Sequence, residues 1–131
     1  MSPTTVAQDA DFARTVGDVA DEAGVAPSAV RFYESHGIIH ARRNTGNQRR
    51  FDDSAACRIK VAKLAQRVGL TVREITELFD DLPTHPAPDD WGRITDALVA
   101  EAERRVAALR SYLAEMGSDG LLCQAVDHID A

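Results

Sequence analysis

A repeat of apolar and small residues at intervals of three and four dominates the C-terminal third of this 131-residue chain. It follows residues 82–89, which hold three prolines and therefore interrupt any preceding helix. A helix from Asp89 to Met116 would be about 42 Å long at 1.5 Å per residue, too long to pack wholly against the small segment before it. The repeat therefore predicts a coiled-coil seam, formed by Trp91, Ile94, Leu98, Ala102, Val106, Leu109, Leu113 and Met116.

The partner of this helix is expected to be a second copy of the chain. A return helix within one chain is the alternative, but no second long helix remains in the sequence to provide it. An antiparallel homodimer satisfies the seam, because a self-complementary interface closes with two-fold symmetry. The expected organisation is an N-terminal arm at 1–12, a compact domain at 13–82, a linker at 83–88, a dimerisation helix at 89–117 and a short tail at 118–131.

Composition excludes several classes of protein. With 44% hydrophobic and 5% aromatic residues, the chain suits a mainly helical globular protein. No apolar run approaches the roughly 20 residues of a membrane span, and the first residues do not resemble a signal peptide, so we expect a cytoplasmic protein with no membrane partner. The four histidines are scattered and have no matched acid or nucleophile, so no catalytic residues and no enzyme activity are expected.

Charge is distributed in blocks along this acidic chain, whose formal net charge is −6. Residues 31–67 contain nine of the fifteen basic residues and only three acidic ones, whereas the flanking segments carry net charges of −4 and −8. Phosphate binding needs local rather than overall positive potential. The basic block therefore indicates a nucleic-acid-binding surface on an otherwise acidic protein.

Two short helices with a tight turn begin the compact domain. Thr15 is a suitable N-cap, and Gly24 closes the first helix. Pro27 opens a second helix, which ends at Gly37. This spacing favours a helix-turn-helix, although helical hairpins with glycine turns also occur in proteins that never bind DNA.

The following segment favours DNA binding. Residues 40–43 and 48–51 flank the turn residues Asn44 to Asn47 and predict a β-hairpin with two arginines on each arm. Like charges on facing strands repel, so a purely structural hairpin would not carry four arginines. We therefore interpret the hairpin as a wing that lies on the phosphate backbone.

Two more helices complete the domain. Asp52 or Asp53 caps a helix over Ala55–Val68, whose inward residues are expected to be Ile59, Leu64 and Val68. Its outward residues would be Arg58, Lys60, Lys63 and Arg67, and Cys57 is expected to pack inside. Thr71 caps a further helix to about Asp81, with a buried face of Val72, Ile75, Leu78 and Phe79.

Four segments of the sequence closely resemble the MerR family of regulators. They are Val16 to Ala20, the Arg-Phe-Tyr-Glu core within Ala29 to Glu34, Gly37 to Ile39, and the Asn-Gln-Arg-Arg-Phe wing within Asn44 to Phe51. The resemblance continues through Leu64 to Leu70 and the Leu82-Pro83 break, covers about Val16 to Met116, and within the family is greatest to the SoxR redox-sensing branch.

The resemblance implies a mainly α protein: a winged helix-turn-helix followed by a long antiparallel coiled-coil dimerisation helix. It also implies a homodimeric regulator that binds an inverted repeat in double-stranded promoter DNA and distorts the DNA, acting on RNA polymerase only through the promoter. Carried onto this chain, the base-edge residues would be Ser28, Ala29 and Arg31. The phosphate contacts would be Tyr33, Arg42, Arg43, Asn47, Arg49, Arg50 and Lys60. For Phe32 and Tyr33, a core position is the alternative.

The sequence departs from the SoxR branch after the long helix. That branch holds an iron–sulfur cluster with four closely spaced cysteines, whereas only Cys123 is present here, so no such cluster and no other cofactor is expected. Trp91 would anchor the coiled coil or, alternatively, line an effector pocket with Cys123. Metal sensing through Met116, Asp119, Cys123 and His128 lacks the paired thiolates that soft metals prefer. A sensor based on the single Cys123 thiol and an architectural or interaction module without a signal remain alternatives.

Overall fold

The computed structural model describes residues 12–118. The predictions for residues 1–11 and for the tail beyond Ser118, including Cys123 and His128, lie outside those residues. The chain divides into two compact units, the first ending at Ile94 and the second beginning at Thr95. Its elements in chain order are α1 (Val16–Ala23), α2 (Pro27–Ser35), β1 (Arg42–Arg43), β2 (Arg49–Arg50), α3 (Ala55–Arg67), α4 (Val72–Phe79) and α5 (Pro88–Ser118).

The helix-turn-helix begins and ends as the sequence predicts. The Thr15 hydroxyl accepts a hydrogen bond from the Asp18 amide, and the Asp18 carboxylate accepts one from the Thr15 amide, both at 3.0 Å. This capping box satisfies two amides that the helix itself cannot pair. Gly24 ends α1 in the left-handed region, at φ 69°, and Pro27 lies in the first turn of α2. Thr71 and Glu74 form a second capping box at α4.

The core of the first unit lies where α1 packs against α2 and α3, and where α3 packs against α4. Val19 and Val30 are fully buried here. The chain before the wing contributes Ile38 and Ile39, and the chain after it contributes Phe51, all at 1% exposure or less. Phe51 also exchanges two backbone hydrogen bonds with Arg14. The wing is thus anchored at both ends by buried residues.

The inward face of α3 differs from the prediction. Leu64 is 51% exposed and Val68 is 38% exposed, whereas Arg58, expected outside, is only 7% exposed. The buried face consists instead of small residues around Ile59, namely Ala55, Ala56, Ala62 and Ala65. Small residues allow neighbouring helices to approach closely, so the larger apolar side chains do not mark the core side of this helix. Cys57, expected to pack inside, is exposed.

The long helix α5 begins one residue before the predicted start and extends through Ser118. Ile94 is 7% exposed and Leu98 is 6% exposed, so these two seam positions are already covered in the single chain. The division between the two units falls after Ile94, within this helix. Among residues 12–118, no helix combines the length and the apolar character needed to cross a membrane.

Candidate nucleic-acid interface

The two strands of the wing place arginine opposite arginine. In the antiparallel register, Arg42 pairs with Arg50 and Arg43 pairs with Arg49. Three of these four side chains belong to exposed residues, and Arg50 is half-buried. Directly opposed like charges destabilise a strand pair. The register therefore concentrates positive charge on a short hairpin at some cost to its own stability.

The wing turn is held by the side chain of Asn44. Its Oδ1 accepts hydrogen bonds from the amides of Gly46 and Gln48, both at 2.9 Å. Asn47 follows at φ 59°, a left-handed conformation that asparagine tolerates better than most residues. The carbonyl of Asn47 accepts a hydrogen bond from Nη1 of Arg43 at 2.9 Å. The turn thus positions one arginine of the wing directly.

The other wing arginines also have defined contacts. The Arg42 guanidinium lies 5.1 Å from the ring centre of Phe12, a cation–π geometry. Nη2 of Arg50 donates a hydrogen bond to Oε1 of Gln48 at 2.8 Å. Nη1 of Arg49 lies 3.2 Å from Oε1 of Glu34, which connects the wing to the C-terminal end of α2. The arginines are therefore pre-ordered in the free protein.

The N-terminal part of α2 presents the predicted base-reading residues. Ser28 and Arg31 are exposed, and Ala29 is half-exposed. Phe32, one residue further, is 41% exposed, and its ring centre lies 4.5 Å from that of His36. The exposed face of α2 therefore carries one cation and one aromatic ring. The sequence prediction left the position of Phe32 open.

Tyr33 does not lie on this exposed face. It is only 6% exposed, and its hydroxyl donates a hydrogen bond to Oε1 of Gln66 at 2.7 Å, which links α2 to α3. Burial raises the pKa of Tyr33 above its ordinary value of 10.0. The prediction of a phosphate contact at Tyr33 is therefore not supported, because the ring packs in the core and the hydroxyl is engaged.

A second basic surface lies on α3. Lys60, Lys63 and Arg67 line a shallow groove of about 260 Å³ together with Leu64. Their spacing of three and four residues places them on one side of the helix. The sequence prediction included only Lys60 among the DNA contacts. Lys63 and Arg67 were expected to face outward, and their shared spacing with Lys60 was the signal that could have added them.

Trp91 is half-buried in the first unit, and its ring meets that of Phe79 edge-on with ring centres 6.2 Å apart. This contact gives Trp91 a packing role at the start of α5. No group of three His, Cys, Asp or Glu residues between Phe12 and Ser118 is arranged to hold a metal ion. The proposed effector partner of Trp91, Cys123, lies outside the described residues.

Comparison with known protein families gives two matches. The family described as MerR HTH family regulatory protein matches residues 14–82, which include α1, α2, the wing, α3 and α4. The family described as MerR, DNA binding matches residues 57–118, from α3 to the end of α5. The two matches together cover the whole described chain except its first two residues.

Individual relatives agree with these matches. The HTH-type transcriptional activator SoxR homolog of Chromobacterium violaceum is 38% identical over 97 residues, which cover 72% of this chain and 66% of that protein. The HTH-type transcriptional regulator CueR of Salmonella typhimurium is 30% identical over 126 residues, covering 87% and 90%. A solved structure of a putative MerR family regulator from Listeria monocytogenes shares the fold, with a TM-score of 0.51, 18% identity and coverage of 88% and 93%.

Proposed function

This chain belongs to the MerR family of helix-turn-helix regulatory proteins, and from that premise we propose that it binds an inverted repeat in double-stranded promoter DNA as a homodimer. The relatives named above are transcription regulators.

The observation that carries the proposal is the register of the wing. Two pairs of arginines face each other across a hairpin of only two residues per strand. Cross-strand repulsion of this kind is relieved when an external polyanion lies along the hairpin. The wing arginines and the side chain of Asn47 would bind phosphates on one side of α2, the proposed recognition helix, and Lys60 on α3 would bind them on another side.

Base recognition is assigned to the exposed face of α2. A helix that enters the major groove reads base edges with the side chains of its first turns. Arg31 is the residue there that can donate two parallel hydrogen bonds to a guanine. Ser28 and Ala29 lie one turn or less before it and would contact the neighbouring base pairs.

Dimerisation is assigned to the part of α5 that belongs to the second unit. Val99, Val106 and Leu109 are about half exposed, and with Ala102, Leu113 and Met116 they keep the alternating spacing of three and four residues. Ile94 and Leu98 are not assigned to this dimer interface, because both side chains are already buried in the single chain. A second copy of α5, running antiparallel, would bury this stripe and give a protein with two symmetric DNA-reading units.

Control of transcription would follow from DNA distortion between the two half-sites, so RNA polymerase would respond through the promoter and without a direct contact. A protein that acts on the bacterial chromosome works in the cytoplasm.

The proposal is tested by selecting duplexes from a random DNA library with the full chain. We expect the selected sequences to share an inverted repeat, because two symmetry-related α2 helices would read two half-sites. Fluorescence anisotropy at physiological salt would then compare the selected duplex with a scrambled duplex of the same composition. We expect the selected duplex to bind at least about a thousand-fold more tightly.

Two results would reject the proposal. Equal affinity for the selected and the scrambled duplex would show that the protein does not recognise a specific DNA sequence. If the selected sequence had no two-fold symmetry, and sedimentation experiments showed one chain per duplex, the protein would not bind DNA as a homodimer.

A further inference from the structure

A cavity of about 350 Å³ lies inside the first unit, between the base of the wing, α3 and α4. This volume is within the range of small-molecule sites, roughly 300–1,000 Å³. Its apolar walls are formed by Phe12, Ile39, Phe79 and Leu82. Phe12 and Phe79 are the aromatic side chains among them. An apolar body about the size of a phenyl ring therefore has suitable surroundings here.

Arg58 is the permanent cation of this cavity, and it is more than nine-tenths buried. Its Nε donates a hydrogen bond to Oγ of Ser54 at 3.0 Å, and its Nη2 donates one to the carbonyl of Pro83 at 2.7 Å. Ser54 in turn donates its hydroxyl to Oδ1 of Asp52 at 2.6 Å. A serine thus stands between the guanidinium and the nearest buried carboxylate.

The remaining guanidinium nitrogen, Nη1, has no hydrogen-bond acceptor among the described residues, since the bonds of Arg58 use Nε and Nη2. Within the same residues, no fully buried side-chain nitrogen or oxygen lacks a partner. As far as the described residues go, Nη1 is therefore left available to a ligand in the cavity that Arg58 lines. Burial lowers the pKa of Arg58, and the negative charge of Asp52 offsets this only in part. The site thus contains a buried cation with unused donors.

The carboxylates in the cavity limit which kinds of charged ligand can bind there. Asp52 and Asp80 also line it, so its walls carry two carboxylates against one guanidinium. A simple anion would gain from Arg58 but would be repelled by both carboxylates. A ligand with separate positive and negative groups avoids that repulsion and uses both kinds of charge.

We propose that this cavity binds a small zwitterion with an apolar side chain, of the kind represented by an aromatic or branched α-amino acid. Its carboxylate accepts hydrogen bonds from Nη1 of Arg58, and its ammonium group lies towards Asp52 and Asp80. Its side chain packs against Phe12 and Phe79. The residues that line this cavity include none of the proposed DNA contacts and none of the exposed stripe of α5, and the proposal goes beyond the function proposed above.

The test is calorimetric titration of the full chain with L-phenylalanine and L-leucine. We expect saturable binding of at least one of them, with a dissociation constant below about 1 mM. Two probes each lack one charged group: 3-phenylpropionate has no ammonium group, and phenethylamine has no carboxylate. Both are expected to bind at least about ten-fold more weakly than L-phenylalanine. Amide NMR shifts on the unmodified protein should map the binding to His40, Thr76, Phe79 and Thr84.

Variants locate the site. Arg58→Gln should weaken amino-acid binding at least about ten-fold while leaving the weak binding of phenethylamine unchanged. Because Arg58 is buried and this variant could fail to fold, Thr84→Phe provides a second test: it blocks the cavity from an exposed position and removes no side chain that bonds Arg58. Thr45→Phe makes the same change in the exposed wing turn and should bind as the unmodified protein does.

Three outcomes would overturn the proposal. The first is no saturable binding of either amino acid up to about 10 mM. The second is binding of 3-phenylpropionate as tight as that of L-phenylalanine, which would make the site one for simple anions. The third is unchanged binding in Thr84→Phe, which would place the ligand elsewhere.

Discussion

Oε1 of Glu34, near the end of α2, lies 3.2 Å from Nη1 of Arg49 in the wing. The pair joins the two elements that would contact DNA, and Glu34 is the more buried partner. It fixes the position of one wing arginine relative to the recognition helix. It also places a carboxylate close to where phosphates would lie.

Replacing this carboxylate should change DNA selectivity more than stability. We expect Glu34→Gln to bind scrambled DNA about three- to ten-fold more tightly, because a negative charge leaves the binding surface. The gain for the selected duplex should be smaller, because Arg49 loses its fixed position. The free energy of unfolding should fall by less than about 1 kcal/mol, since the pair is partly exposed. Anisotropy with both duplexes and urea unfolding measure these effects.

The matched control is Glu115→Gln, which neutralises an exposed glutamate of α5 in the second unit. It should change both affinities equally or not at all. If Glu34→Gln left the ratio of the two affinities unchanged, the pair would have no part in positioning the wing.

Arg31 and Arg50 should affect DNA binding in different ways. Arg31→Ala should cost about 1–3 kcal/mol at one base pair of each half-site and relax specificity there. Arg50→Ala should weaken binding to all duplexes and lower the slope of log affinity against log salt by about 2 for a dimer that loses two phosphate contacts. Anisotropy as a function of salt, with single-base variants of the selected duplex, distinguishes the two. Identical losses across all duplexes in both variants would contradict these roles.

The exposed stripe of α5 should determine the oligomeric state. Leu109 is 52% exposed in the single chain. Leu109→Glu would place a charge inside the proposed interface, so we expect a monomer at micromolar concentration by light scattering, whereas the unmodified chain should be a dimer. Leu64→Glu is the matched control, because Leu64 is 51% exposed but belongs to α3. A monomeric Leu64→Glu variant, or a dimeric Leu109→Glu variant, would argue against this interface.

Tyr33 should contribute to stability in a pH-dependent way. Tyr33→Phe removes the hydrogen bond to Gln66 and should lower the free energy of unfolding by about 1 kcal/mol at neutral pH. Because burial raises the pKa of Tyr33 in the folded state, the unfolded chain loses this proton first as the pH rises. The stability of the unmodified protein should therefore fall above about pH 10, through the folded-state pKa.

This pH-dependent loss should be smaller in Tyr33→Phe, which has no hydroxyl at that position to titrate. Urea unfolding of both proteins at pH 8 and above pH 10 gives the comparison, and lysine titration affects both proteins alike. Parallel loss of stability in the two proteins would show that Tyr33 does not titrate differently on folding.

The first two helices and the wing could be predicted because their limits are local. Thr15, Gly24 and Pro27 act through caps and backbone conformation that depend on a few neighbouring residues. The wing follows from a turn sequence between two arginine pairs. The fold class, the family and the type of function are confirmed, since they rest on these local signals and on motifs that the family comparisons also match.

The burial of α3 could not be predicted in the same way. The face of α3 that is buried depends on how closely α1 and α4 can pack against it, and its alanines allow closer packing than its larger side chains do. Leu64 and Val68 are more hydrophobic, so the sequence pattern predicts them in the core and predicts Arg58 in solvent. Of the two groups that accept hydrogen bonds from buried Arg58, Ser54 lies one helical turn before it, but the carbonyl of Pro83 comes from 25 residues further along the chain.

The opposed arginines of the wing imply that ionic strength acts on the free protein and on the complex in opposite directions. Without DNA, small ions shorten the reach of the repulsion between facing guanidinium groups, to a Debye length of about 8 Å at physiological strength. With DNA, the same ions compete with those groups for phosphate. For this hairpin, the DNA duplex acts as a polyvalent counterion that replaces many monovalent ions. Added salt should therefore stabilise the DNA-free wing and, at the same time, lower its affinity for the promoter.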